Sequence, residues 1–269
     1  MTNPRLVSQS FLGADSDAIF ASTTVGIAGL GGGGSHMAQQ LAHVGIGGFV
    51  LADDDTIELK NLNRLVGGTM DDVSAARPKI EIANRVIMSV NPNARVVPKM
   101  AKWQECLDFL RECSVIVGCV DSFREREELE RFARRHLISY VDMGMDVHRG
   151  VDGYFIGGQV ALSSPGAPCL RCLGIVTDER LAQEAGRYGA AGARPQIVWT
   201  NGVLASLAVG LIVQLLSPWH GTPQRSACCE FDGNHHVVEI NRFDAVRGTQ
   251  CPHYRADELG DAYFSRGAA

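Results

Sequence analysis

The sequence predicts an α/β protein with a doubly wound sheet, parallel in its N-terminal half and extended by antiparallel strands in its C-terminal half. Three observations lead there. Short apolar runs alternate with segments of helical period as far as residue 142. A glycine turn, Gly29-Leu-Gly31-Gly-Gly-Gly34, joins the first apolar run to the first of those helices. Beyond residue 150 the pattern changes to glycine-rich alternation, which suits antiparallel pairing.

Taken in order, residues 1–24 read as a polar arm with helical character around Asp17–Ser22. Val25–Leu30 is a short apolar run that suits a buried parallel strand. Ser35–Val44 follows as a helix with Met37, Leu41 and Val44 on one face, and Phe49–Ala52 is the second strand. Pro78 opens a helix that Lys79–Ser89 continues, with Ile80, Ala83, Ile87 and Val90 at helical spacing. Asn91-Pro92-Asn93 ends it. Arg95–Lys99 is a strand, Gln104–Arg111 a helix, Val115–Cys119 a strand, Phe123–Arg135 a charged helix and Ile138–Asp142 a fifth strand. Gly153–Ser163 alternates, Thr200–Leu215 is an apolar helix, and Cys229–Asp232 with Val237–Arg242 form a closing hairpin about Asp232-Gly233-Asn234. One continuous domain over residues 1–269 accounts for all of this.

Composition narrows the function. The chain is 45% hydrophobic and 20% charged, as globular proteins are. A net charge of −5 argues against a broad basic surface for nucleic acid. The N-terminus, Met-Thr-Asn-Pro-Arg-Leu, lacks a basic-then-apolar signal pattern. The longest apolar stretch, Gly202–Leu216, is interrupted by Ser206 and Gln214 and reads as too short to cross a bilayer. The expectation is a soluble, cytoplasmic protein with neither membrane nor nucleic acid as partner. Eight cysteines in such a chain point to metal binding before disulfides.

Gly29, Gly31 and Gly34 fit G-x-G-x-x-G between strand and helix, where backbone amides can receive a phosphate. Asp53 stands at the next strand end, where an acid commonly holds a ribose hydroxyl. This much says nucleotide without saying which. Asn61 and Arg64 are one helical turn apart and could together hold β- and γ-phosphates. Lys79 adds a cation at a helix start, and Asp121, just past the 115–119 strand, could hold Mg²⁺. Read singly, Arg64 and Lys79 are also ordinary surface cations and Asp121 an N-cap. Their gathering at strand C-termini favours a site that cleaves ATP.

These residues carry a resemblance. Gly29–Gly34, Asp53-Asp-Asp55, Asn61-Leu-Asn63-Arg64, Arg77-Pro78-Lys79, Asn91-Pro92, Cys119-Val-Asp121-Ser122 and Pro168-Cys169-Leu-Arg-Cys172 occur in this order over most of the chain. The chain thereby resembles the ThiF/MoeB/HesA family of adenylating enzymes, related to the core of ubiquitin-activating enzymes. The resemblance implies a Rossmann-like mixed sheet, a homodimer, and a crossover segment over residues 173–198. It also implies ATP-dependent adenylation of the C-terminal glycine carboxylate of a ubiquitin-like or sulfur-carrier (β-grasp) protein, with release of pyrophosphate. Asp53, Asp55 and Asn63 would join the glycines in binding nucleotide. Asn61, Arg64 and Lys79 would bind phosphate, and Asp121 would bind Mg²⁺ and support attack.

Two further motifs follow from the resemblance. Cys169 and Cys172 make half of a zinc site that the family closes with a second C-x-x-C; here Cys251-Pro252-His253 takes its place, leaving Cys169, Cys172, Cys251 and His253 as a structural Zn²⁺ set, or a metal-free degenerate site. The arm's Arg5-Leu-Val-Ser8-Gln9 resembles an entry motif whose second arginine reaches the partner's ATP site; Ser8 stands there, so either Arg5 takes over or no arginine enters in trans. The crossover segment has no cysteine, so no dedicated thioester cysteine is expected. The alternatives kept are a tRNA-adenosine dehydratase of the same family, a non-catalytic nucleotide-binding partner, and an NAD-dependent oxidoreductase.

Overall fold

The computed structural model describes residues 4–151, 153–186, 195–217, 219–221, 225–240, 249, 251–254 and 260. Eight strands form one sheet: β1 (Thr24–Ala28), β2 (Gly48–Ala52), β3 (Arg95–Lys99), β4 (Val115–Gly118), β5 (Ser139–Gly150), β6 (Gly153–Ser163), β7 (Ser226–Asp232) and β8 (Val237–Ile240). Their order is β3-β2-β1-β4-β5-β6-β7-β8. Pairing is parallel from β3 through β5 and antiparallel from β5 through β8. The chain reverses at β1, which pairs β2 on one side and β4 on the other, and a ligand cleft opens at such a switch point.

The helices are α1 (Ser16–Ser22), α2 (Gly32–Val44), α3 (Met70–Ser74), α4 (Lys79–Val90), α5 (Leu107–Leu110), α6 (Phe123–Arg135), α7 (Asp178–Gly186) and α8 (Val198–Leu216), with 3-10 turns at Pro4–Leu12, Leu59–Asn61 and Trp103–Glu105. β1 and β2 are buried along nearly their whole length, which is why they read as continuous apolar runs. Met37 and Leu41 of α2 and Ile80, Ala83 and Ile87 of α4 bury as their spacing requires. They meet α8 in a single core with Phe20, Phe49 and Leu51.

Several elements depart from expectation. α2 begins at Gly32, so the glycines beyond Gly31 lie in its first turn. The fifth strand is far longer than 138–142, because its outer half has a hairpin partner in β6 rather than a following helix. The 104–111 helix splits into a 3-10 turn and the four-residue α5. Pro98 is tolerated in β3 because that strand is the sheet edge. α7 lies inside the crossover segment, where no helix was expected. Residues 241–242 of the expected closing strand lie outside the described residues. The apolar helix is also longer than expected: α8 has 19 residues, a mean hydropathy of 1.7, and the length and composition to cross a membrane. Leu204, Ala205, Ala208 and Ile212 are buried within the core, as in a central helix of a globular domain.

α3 was not expected either. It is stitched to α4 by Asp72, whose carboxylate is 2% exposed. Asp72 accepts from the Thr69 amide at 3.0 Å, from Arg77 Nε at 2.7 Å and from Arg85 Nη2 at 2.6 Å. The Arg85 guanidinium foremost, with Thr69 and Arg77, holds this carboxyl well below the usual range despite its burial. A depressed folded pKa means the contribution is complete above the unfolded value of about 3.9 and is lost as pH falls through the folded value. Asp72→Asn should therefore unfold at lower urea than the parent by a gap that is constant above about pH 5 and closes towards pH 2. Urea midpoints across that range measure it; a gap independent of pH would sink this account.

Candidate active site

The C-terminal ends of β1, β2 and β4 open into one cavity of ≈ 660 Å³, in the range that holds a nucleotide-sized ligand. The glycine turn forms one wall. Gly29 has φ +85, and a Cβ there would stand 2.6 Å from the Cys119 carbonyl oxygen. At Gly34 a Cβ would lie 1.9 Å from the Gly29 carbonyl oxygen. These positions let the turn close against β4 and bring the start of α2 over the strand ends. A Cβ on Gly31 would meet only open space, so that glycine faces the cavity.

Asp53 ties this turn to β2. Its Oδ2 accepts from the Leu30 amide at 2.6 Å and its Oδ1 from the Asp55 amide at 2.9 Å. Burial pushes its pKa up, while Lys79 and the two amides pull it down. Lys79, 8% exposed, stands 2.5 Å from Asp55 Oδ2 and 3.9 Å from Asp53 Oδ1. The ammonium is thus fixed at the cavity wall between two carboxylates, which offset the cost of its burial.

The polar run makes the expected helical turn, with the Arg64 and Leu65 amides donating to the Asn61 carbonyl at 3.0 and 2.9 Å, and adds a local cap to it. Asn61 Oδ1 accepts from the Glu58 amide at 2.8 Å, and Glu58 returns the bond in a capping box. Asn61 thus has a local structural task, although it lines the cavity. Arg64 donates to the Lys60 carbonyl at 2.8 Å and to Asn63 Oδ1 at 2.9 Å. Asp121 is not the N-cap of α6. Ser122 is, accepting from the Glu125 amide at 3.3 Å, which leaves Asp121 at the cavity edge.

The structure brings Gly29, Gly31, Asp53, Asp55, Asn61, Arg64, Lys79 and Asp121 to the same cavity. Gly34 and Asn63 stand just behind it. Arg5 does not come to it: its guanidinium donates to the carbonyls of Ala42 and Val90, at the C-terminal ends of α2 and α4, at 3.0 and 3.1 Å. Carbonyls at helix ends attract a cation, and α2 points its opposite end at the cavity.

Several lining residues escaped the sequence reading, among them Lys102, Arg126, Gln196 and Asn201. Arg126 is buried and donates to Asp142 Oδ2 at 3.3 Å and to the Val120 carbonyl at 3.2 Å. Its position five residues beyond Asp121 on a helix facing the strand end was the available signal. Gln196 and Asn201 carried none. Cys119, the last residue of the expected 115–119 strand, also lines the cavity; burial pushes its thiol up, away from the nucleophilic thiolate.

A second cluster lies apart from the cavity lining. Cys169, Cys172, Cys251 and His253 bring their ligand atoms within 4.8 Å of one another. The Cys169–Cys172 and Cys172–Cys251 sulfurs are 3.6 and 3.8 Å apart, and His253 Nδ1 is 3.4 Å from both Cys169 and Cys172. A tetrahedral zinc with sulfurs at about 2.3 Å sets them about 3.8 Å from each other. The three-sulfur, one-nitrogen set is compatible with zinc.

Comparison with known proteins agrees with this geometry. Over 164 residues the chain is 32% identical to the SAMP-activating enzyme E1 of Haloferax volcanii, covering 60% of this chain and 57% of that protein. Over 166 residues it is 29% identical to the molybdopterin-synthase adenylyltransferase of Escherichia coli, covering 59% of this chain and 61% of that one. The matched region thus spans about three fifths of these relatives' length. Among solved structures, Escherichia coli MccB with ATP shares the fold at a TM-score of 0.73 and 21% identity, over 89% of this chain and 71% of that one. The ThiF family model matches residues 5–253, and the chain belongs to the ThiF family.

Proposed function

We propose that this protein activates the C-terminal carboxylate of a ubiquitin-like or sulfur-carrier protein as an acyl-adenylate, consuming ATP. The observation that carries the reading is Lys79, buried between Asp53 and Asp55 on the wall of the cavity that the glycine turn and Asp121 share. A nicotinamide enzyme needs the turn and the acid but leaves Asn61, Arg64 and Asp121 without a task. The names of the relatives, an E1-type activating enzyme and an adenylyltransferase, point the same way.

The chemistry brings two anions together. A carboxylate oxygen attacks the α-phosphorus, the bond to the bridging oxygen breaks, and pyrophosphate leaves with the electron pair. Lys79 and Arg64 offset the charge on the triphosphate, and the amides at the start of α2 receive phosphate oxygens. Asp53, already holding the Leu30 amide, is placed for the ribose. Asp121, at a strand end beside the phosphate-binding turn, is a donor that suits Mg²⁺, which supplies charge neutralisation when bound. No cysteine of the chain is assigned as acyl acceptor, so the activated acyl group passes to another protein or to a sulfur donor. A homodimer belongs to the proposal: Val7, Phe11 and Trp219 are exposed, and the Phe11 and Trp219 rings pack edge-on at 5.8 Å, an apolar patch suited to a second copy.

Pyrophosphate exchange into ATP, dependent on Mg²⁺ and on a β-grasp protein ending in glycine, is the expected activity. Lys79→Met and Asp121→Ala should each lower it by about a hundredfold or more. Displacement of bound ATP by NADH, or exchange that survives both substitutions, would overturn the reading.

The cysteine cluster holds structural zinc in this proposal. It clasps Cys251–Tyr254 to the core through Glu130, which accepts from the Leu170 amide at 3.0 Å and from the Tyr254 hydroxyl at 3.3 Å. The protein should carry about one zinc per chain, and Cys251→Ser should lose most of it and melt at lower temperature. Elemental analysis beside a thermal scan tests this; metal-free protein of unchanged melting temperature would refute it.

A further inference from the structure

Polar contacts from the described part of the crossover segment flank Asp121 on both sides. On one side Glu184 of α7 accepts from Ser122 Oγ at 3.0 Å and from the Phe123 and Arg124 amides, both at 3.1 Å. Its carboxylate thus sits on the N-terminus of α6, where unpaired amides and the helix dipole favour an anion. On the other side Gln196 touches three walls of the cavity. Its Nε2 donates to Asp121 Oδ1 at 3.2 Å, and its backbone carbonyl accepts from Asn63 Nδ2 at 3.1 Å. Its Oε1 lies 3.1 Å from where a Cβ on Gly32 would stand. Asn201, 3% exposed, has its amide nitrogen 2.5 Å from the same point and donates to the Ile197 carbonyl at 3.0 Å. A neutral carboxamide is therefore held between the phosphate-binding turn and the carboxylate assigned to Mg²⁺.

We propose that Gln196 is a residue that positions the acyl substrate by binding its terminal carboxylate. The proposal rests on the adenylation reading above and deepens it. A primary carboxamide offers two N–H donors and one acceptor. One N–H stays directed at Asp121. The other meets an oxygen of the incoming glycine carboxylate, and Oε1 accepts the N–H of the last peptide bond. Gln196 takes no part in the bond changes. It stays neutral while the carboxylate oxygen bonds to the α-phosphorus and pyrophosphate departs, so it orients one anion without adding another beside Asp121. The segment that crosses the site thereby orients what is activated, while the turn and Lys79 hold what is consumed.

The test is pyrophosphate exchange with Mg²⁺, ATP and a panel of β-grasp proteins ending in glycine, using parent, Gln196→Ala and Gln196→Glu. Loss of a hydrogen bond to a charged group should raise the KM for the carrier about tenfold or more in Gln196→Ala, with the KM for ATP within about twofold. Gln196→Glu, of the same shape but anionic, should lose more of its kcat/KM for the carrier than Gln196→Ala while still binding ATP in calorimetry. A carrier KM unchanged in Gln196→Ala, or carrier and ATP constants that rise together, would overturn the assignment and leave Gln196 a prop of the pocket. If the parent binds ATP but exchanges with no carrier, adenylation itself fails, before any variant is compared, and this assignment fails with it.

Discussion

The site depends on the carboxylate of Asp53. It takes one amide from the glycine turn and one from its own loop, and it faces Lys79. The end of β1, the end of β2 and the start of α4 therefore meet at one side chain. Burial favours the protonated acid, while the two amides and the ammonium reward the anion. An apolar substitute would strand the Leu30 amide and leave Lys79 to Asp55 alone. The conformation of the glycine turn and the position of the nearest cation are thus coupled through one group.

The change from parallel to antiparallel pairing at β5 separates the functional halves. On the parallel side, helices return every strand to the same edge, so loop after loop delivers polar residues to one cavity. On the antiparallel side no such convergence is possible. Hairpins carry the chain outward, and the cavity receives Met143, Gly144 and Met145 from the middle of β5. The residues that close the site from the C-terminal half arrive instead at the N-terminus of α8, through Gln196 and Asn201.

Much of the parallel half was legible in sequence because buried strands and amphipathic helices print their periods directly. Arg95–Lys99 and Phe123–Arg135 have the bounds their patterns suggested. The glycine turn, Asp53, Lys79 and Asp121 were legible because their chemistry depends on lying just beyond a strand, and strands could be read. What stayed hidden depends on contacts between distant segments. Asp72 looks like a surface acid until Arg77 and Arg85 surround it. Arg134 sits in a charged helix yet is 1% exposed, because Ser163 and the carbonyls of Ala167 and Pro168 receive its guanidinium. Gln196 is polar residue among many until the fold sets it against Asp121. The helical turn expected for Asn61 and Arg64 is present, but the cap in which Glu58 also holds Asn61 could not be read from spacing.

The clip that holds the N-terminal arm bears on how subunits could cooperate. Arg5 covers the exposed ends of two helices, and Gln9 adds a 2.7 Å bond to the Val44 carbonyl beside it. An arm lent to a neighbour would leave those three carbonyls to water and surrender the shielding of Leu6, now 4% exposed. Exchange of the arm between subunits is therefore opposed by its own docking. A second copy that pairs without taking the arm leaves both helix ends capped and Leu6 covered.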